Sequence, residues 1–213
     1  MSHCTSTLRT PSEHTESGCD VIHPSPIVPP DQPLSDGNVA LRMLRTSDIA
    51  LLHENLADEA VRTYMSIPLD QTIEGTARYV TTRAKAMAEG ADASFAVTDA
   101  LSGELLGTIG VERSRDDPAI ASIGYWLFAS ARGRGVATRA VRVLTVWAFE
   151  ALGLARLQVT VHERNFASQR VAEKNGYLRE CVMRSIAEQH GRRVDLIMFA
   201  RLADDPAPED MGR

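Results

Sequence analysis

Arg132-Gly133-Arg134-Gly135-Val136-Ala137-Thr138 is the stretch that decides the fold. Upstream of it, Ala119 to Phe128 reads as a strand. Downstream, Val136, Ala140, Val143, Leu144, Trp147 and Ala151 recur at helical intervals, and Gly153 ends that helix. The stretch therefore lies where a strand gives way to a helix. Glycines let the backbone turn sharply and face its N–H groups outward. The helix points its positive end at the same place. Two arginines add charge, and Gly135 and Ala137 lack bulk, so a ligand can approach the main chain closely. The result is an anion cradle suited to a pyrophosphate. A basic turn with solvated arginines would carry the same letters, so the loop alone leaves both readings open. It is neither the dinucleotide fingerprint nor a P-loop, because no Gly-Lys-Ser/Thr follows.

Working outward, Val39 to Arg45 reads as a strand. Thr46-Ser47-Asp48 offers an N-cap cluster for a helix from Ile49 to Leu56. A second helix spans about Ile73 to Ala88 and is closed by Gly90. Ser94 to Thr98, Leu105 to Arg113 and Ala119 to Phe128 form a three-strand meander with turns at Ser102-Gly103 and Asp116-Asp117-Pro118. After the central helix, Leu157, Val159 and Val161 alternate with polar residues in a half-buried strand. A helix from about Ala167 to Lys174 stops at Asn175-Gly176. Leu178 to Glu188 and Val194 to Leu202 close the domain as a hairpin across Gln189-His190-Gly191. The order β-α-α-β-β-β-α-β-α-β-β predicts an α/β (α+β mixed) fold, a mixed and mostly antiparallel sheet of about seven strands flanked by helices. The unit from Ser122 to Val161 predicts a right-handed crossover between parallel strands.

The 213 residues suffice for one domain with a tail. Residues 1–37 read as a flexible proline-rich arm, 38–203 as the folded domain and 204–213 as a loose acidic end. A net charge of −5 argues against a nucleic-acid partner. Cys4, Cys19 and Cys181 fit neither a disulfide framework nor a zinc site, no metal is expected, and the reading is cytoplasmic. Cys181 reads as a small packed side chain. No apolar run approaches the roughly 20 residues of a membrane helix.

Arg-x-x-Gly-x-Ala after a strand resembles the cofactor signature Gln/Arg-x-x-Gly-x-Gly/Ala of the GNAT superfamily of N-acetyltransferases. The flanks resemble its RimJ/RimL-like branch, the ribosomal-protein N-terminal acetyltransferases. They are Ile123-Gly124-Tyr125-Trp126-Leu127 before the loop, then Asn165-Phe166-Ala167-Ser168 and Glu173-Lys174-Asn175-Gly176-Tyr177, and Gly191-Arg192-Arg193-Val194-Asp195 in the closing hairpin. The resemblance covers about residues 38–202.

It implies a splay between the fourth and fifth strands that admits acetyl-CoA. The backbone of Tyr125, Trp126 and Leu127 is then expected to pair with the pantetheine arm as an added strand would. The N–H groups of Arg132, Gly133, Arg134, Gly135, Val136, Ala137 and Thr138 are expected to hold the pyrophosphate, Asn165 to bond the cofactor near its pantetheine arm, and Lys174 to reach toward the 3′-phosphate. The reaction implied is direct attack of a neutral primary amine, a protein α-amine or a small molecule, on the thioester. It needs a base, an oxyanion donor near Leu127 and a hydrogen bond to the leaving sulfur. Ser168 matches the family serine for the last role and would equally serve as a helix-start residue.

Relatives of this branch place a Glu just before the Ile-Gly-Tyr segment, where this chain has Ser122. Glu112 and Glu188 are the substitute bases, with a water chain as the alternative. Trp126 belongs beside the cofactor gap, Trp147 in the core, and His162 on a solvated strand face. A catalytically silent CoA-binding module is the competing class, and a homodimer stays open.

Overall fold

The structure is a computed structural model that describes residues 27–65, 72–89 and 92–208. Most of the expected arm, the helix-closing Gly90 and residues 209–213 lie outside the described residues.

Among the described residues eight strands make one sheet: β1 Leu34–Ser35, β2 Val39–Met43, β3 Asp92–Asp99, β4 Leu105–Arg113, β5 Ile120–Leu127, β6 Arg156–His162, β7 Leu178–Gln189 and β8 Arg192–Leu202. The spatial order is β1-β2-β3-β4-β5-β6-β8-β7. Every neighbouring pair is antiparallel except β5 and β6, which the helical crossover joins in parallel. The helices are α1 Ile49–Asn55, α2 Glu59–Tyr64, α3 Ile73–Ala88, α4 Val136–Leu152 and α5 Phe166–Lys174.

The two faces of the sheet carry two cores. The apolar stripe of α4 (Val136, Ala140, Val141, Leu144, Ala148) packs with Phe95, Ile109, Val111 and Ile123. Trp147 stands edge-on to Phe95 with ring centroids 5.5 Å apart, as its place on the stripe predicts. Across the sheet, Leu52, Val61 and Val80 from α1, α2 and α3 pack with Ala96, Trp126 and Phe128. Seven of the eight β3 residues are therefore buried, Asp92 and Ser94 included. Full burial of a leucine-sized side chain contributes about 1.5–3 kcal/mol, so these layers hold the strands in fixed register.

Several expectations are corrected. The sheet gains β1, so the splayed fourth and fifth strands are β5 and β6. Residues 27–37, placed in the loose arm, join the body: Ile27 is buried in the main core, and Asp36 takes a salt bridge from Arg139 on α4 at 2.9 Å. At the other end Arg201 donates to the Pro206 carbonyl, and the Leu202 amide donates to Asp205. The first helical region holds a further helix, α2, whose N-cap Asp58 accepts from the Val61 amide at 3.1 Å. Asp48 does not cap α1. Its carboxylate turns back to the Arg45 amide and the Arg42 guanidinium. Cys181 is exposed on the edge strand rather than packed. The closing hairpin turns at His190-Gly191 with φ of 51° and 72°, the two positive values of a type I′ turn.

No helix among the described residues is long and apolar enough to cross a membrane.

Candidate active site

The parallel contact between β5 and β6 is short. Ile120, Ala121 and Ser122 pair with Arg156, Leu157 and Gln158, and the strands then part. Gln158 Nε2 donates to Ser122 Oγ at 3.0 Å on the last rung. From Ile123 to Leu127, β5 keeps only its β4 neighbour. Its orientation follows from one bond: the Phe128 amide donates to the Leu106 carbonyl at 2.9 Å. Strand alternation then turns the main-chain groups of Trp126 toward β4 and those of Tyr125 and Leu127 into the gap. The expected pairing edge is thus Tyr125 and Leu127. Trp126 contributes its side chain instead. Gly107 of β4 makes the close approach at this end: a Cβ there would stand 2.3 Å from the Trp126 carbonyl oxygen.

In the loop that follows, Arg132 is already engaged within the protein. The Arg132 amide already donates to the Ala129 carbonyl. Its guanidinium donates to the Leu127 carbonyl at 3.1 and 2.8 Å and to Asp58 at 2.6 Å. Arg132 is a brace, and both its amide and its side chain are engaged. Arg134 is exposed and does not line the cavity. The chain reverses at Gly133 and Gly135, whose φ values are 73° and 77°. The first backbone bond of α4 is from the Arg139 amide to the Gly135 carbonyl, and Gly135 provides no side-chain cap. The amides of Val136, Ala137 and Thr138 therefore have no acceptor in the helix and stand at its positive end.

These residues line a cavity of about 470 Å³ together with Tyr125, Leu127, Asn165, Ser168 and Lys174. Asn165 caps α5, its Oδ1 accepting from the Ser168 amide at 3.1 Å. Ser168 Oγ lies 2.7 Å from the Tyr125 hydroxyl. Burial pushes the Tyr125 phenol up to about 12, against the opposing effect of its bond to Ser168. The α2 helix roofs the cavity with Ala60, Val61 and Tyr64. It is held by Arg132 at Asp58, by His190 Nε2 at the Arg62 carbonyl (2.5 Å), and by Tyr64 edge-on to His162. His162 lines neither this cavity nor the next.

A second cavity, of about 960 Å³, opens on the α1–α3 face. Its floor is small and hydroxylic: Ser94, Thr108, Gly110, Ser122, Gly124 and Thr160. Glu112 lies in it, directly across the β4–β5 ladder from Ser122, so a carboxylate stands one strand away from the position where this chain has serine. Arg83 leans over the same end and is paired to Asp92 at 2.6 Å. Glu188 is exposed on the closing hairpin and lines neither cavity. The two cavities share Met65, Tyr125 and Trp126. Sequence reading missed α2, Met65 and the hydroxyl of Tyr125. The Asp58-Glu59 start of α2 was the available signal. No group of three or more His, Cys, Asp or Glu among the described residues could hold a metal ion.

A narrow cleft with free amides at a helix head, an open strand edge and a half-buried hydroxyl pair fits a long thioester carrying a diphosphate. The comparisons agree. A family model described as an acetyltransferase (GNAT) domain matches residues 38–178. The Bacillus subtilis protein named Probable N-acetyltransferase YjcK is 31% identical over 135 residues, 63% of this chain and 75% of that protein. The ribosomal-protein-serine acetyltransferase of Escherichia coli is 29% identical over 101 residues, 47% of this chain and 56% of that one. The structure of Mycobacterium smegmatis RimJ in complex with CoA-disulfide superposes with a TM-score of 0.71 at 24% identity, covering 81% of this chain and 86% of the other. The chain therefore belongs to the GNAT acetyltransferase family and is an acetyl-CoA-dependent N-acetyltransferase.

Proposed function

We propose that the enzyme acetylates the α-amine of a protein or peptide N-terminus that enters through the larger cavity. The observation that carries this reading is the meeting of two cavities at Met65, Tyr125 and Trp126. Donor and acceptor can then occupy separate entrances and react without a covalent enzyme intermediate. The volume of about 960 Å³ suits a chain end, and one relative is named for acetylating a ribosomal-protein serine.

Bound acetyl-CoA supplies the activated acetyl thioester; the rest is done by the chain. The amides of Val136, Ala137 and Thr138 hold the diphosphate, and Lys174 stands at the far end of α5 to meet a further phosphate. The edge of Tyr125 and Leu127 aligns the donor, and the Leu127 amide donates to the oxygen that gains charge. Asn165 orients the head of α5, and Ser168 donates to the leaving sulfur. Glu112 accepts the ammonium proton, directly or through water. An α-amine titrates near pH ~8, so the base needs little driving force.

The test is thiol release with peptides beginning in Ser or Ala, the same peptides blocked at the N-terminus, and simple amines. Turnover is expected with the free peptides and not with the blocked ones. Turnover confined to small amines would overturn the acceptor class. Glu112→Gln should lower kcat more at pH 6.5 than at pH 9, and an equal loss at both removes Glu112 as the base.

A further inference from the structure

We infer that Tyr125 is a positioning residue that sets the direction of the Ser168 hydroxyl. The inference rests on the reading of Ser168 given above and extends it to a second side chain. The Tyr125 hydroxyl and Ser168 Oγ are 2.7 Å apart, and both residues line the donor cavity. Tyr125 also lines the larger cavity, so it stands where the two cavities meet.

Only one proton can lie between two hydroxyl oxygens. A phenol is a far stronger acid than an alcohol, so the favoured arrangement has Tyr125 donating and Ser168 accepting. The remaining Ser168 proton must then point elsewhere. The Ser168 amide is held by Asn165, which fixes the turn that carries the hydroxyl. With one lone pair of Oγ occupied by Tyr125, and with Ser168 in the first turn of α5 where no helix carbonyl lies four residues back, the Ser168 O–H is directed into the donor cavity. Burial keeps the phenol protonated through the whole working pH range, so the arrangement persists. Tyr125 donates its hydrogen bond and keeps its proton. It acts on the leaving sulfur only through Ser168.

The experiment is a double-mutant cycle on the full chain with Tyr125→Phe and Ser168→Ala, reading kcat, the KM for acetyl-CoA and CoA affinity. Ser168→Ala should lower kcat about 10–100-fold, the loss expected for a hydrogen bond to a charged group. Tyr125→Phe should lower kcat about 2–12-fold, as for a neutral hydrogen bond, with the acetyl-CoA KM unchanged. In the Ser168→Ala background, Tyr125→Phe should have no further effect. Losses that multiply, or a raised KM with kcat intact, overturn the inference while leaving Ser168 in its role. An unchanged kcat in Ser168→Ala overturns both. Should Tyr125→Phe fold poorly, 3-fluorotyrosine at position 125 gives the second arm. Its more acidic phenol must change kcat in the Ser168 enzyme and not in Ser168→Ala; a change in both backgrounds, or in neither, contradicts the inference.

Discussion

Arg132 and Asp58 form an ion pair at 2.6 Å that ties the cofactor loop to the first residue of the roof. The same guanidinium reaches the Leu127 carbonyl at 2.8 Å, so one side chain joins the end of β5, the loop and α2. Asp58 in turn caps α2 through the Val61 amide. A residue that the loop's charge marks as a phosphate ligand therefore works on the shape of the cleft.

Arg132→Ala should leave the Leu127 carbonyl and Asp58 without their partner and loosen the roof. CoA affinity is expected to fall by about 0.5–1.5 kcal/mol, the net worth of a hydrogen bond. Titration calorimetry with CoA checks this, and an unchanged affinity would separate the brace from the cleft.

The brace also predicts an acid limb. The Arg132 hydrogen bond holds the Asp58 carboxyl below the usual carboxylate range. A depressed folded pKa means the stabilisation is fully present above the unfolded value of about 3.9 and is lost as pH falls through the lower folded value. CoA affinity should not respond to this pair between pH 5 and 8. The Asp58→Asn enzyme should lack the part of the acid unfolding below pH ~4 that belongs to it.

Gly135→Ala tests the turn itself. Nothing lies within 4 Å of the Cβ that would be added, and φ is +77°, so the penalty is conformational and not steric. Urea unfolding should show a loss of about 1–2 kcal/mol. A neutral result would mean the loop can adopt another path.

Gly124→Leu should act at the larger cavity. Gly124 is part of the floor of the larger cavity, with open space over its Cα. The acceptor KM should rise at least about tenfold, as expected when an isobutyl group fills space a substrate needs. CoA affinity should stay near wild type. Loss of CoA affinity with an unaltered acceptor KM would reverse the assignment of the two cavities.

High pH should destabilise the protein through two tyrosines. Burial pushes the phenols of Tyr125 and Tyr177 up to about 12 each. A raised folded pKa means the stabilisation is present below the unfolded value near 10 and is lost as pH rises toward 12. Thermal unfolding temperatures should fall between pH 10 and 12. Tyr177→Phe should flatten part of that fall, while lowering stability at neutral pH by the lost bond to Thr145 (2.7 Å).

The strand–loop–helix core was legible because its signals are local. Turns at Ser102-Gly103 and Asp116-Asp117-Pro118 bound β4 and β5, alternation marks β6, Gly135 and Gly153 punctuate α4, and both glycines take positive φ. What stayed hidden depends on where side chains go after folding. Arg132 and Asp58 are 74 residues apart and Tyr125 and Ser168 are 43 apart, and no periodicity connects them. Asn165 illustrates a different ambiguity. A helix cap and a cofactor ligand call for the same residue type, and the Ser168 amide shows that capping is at least one of its roles. The six residues of α2 hold under two turns, too few for a helical pattern to declare itself. Glu112 and Glu188 were indistinguishable as letters. Both are exposed, but strand register puts the first opposite Ser122 at the larger cavity and leaves the second on the hairpin outside both cavities.

The most direct measurement is calorimetric titration of CoA into the wild-type chain and into Gly135→Glu side by side. A carboxylate at the head of α4 should repel the diphosphate and cover the amides of Val136, Ala137 and Thr138. The account predicts saturable binding by the wild type and none by the variant, with thermal unfolding showing that the variant is folded. Equal affinity in the two proteins would contradict it.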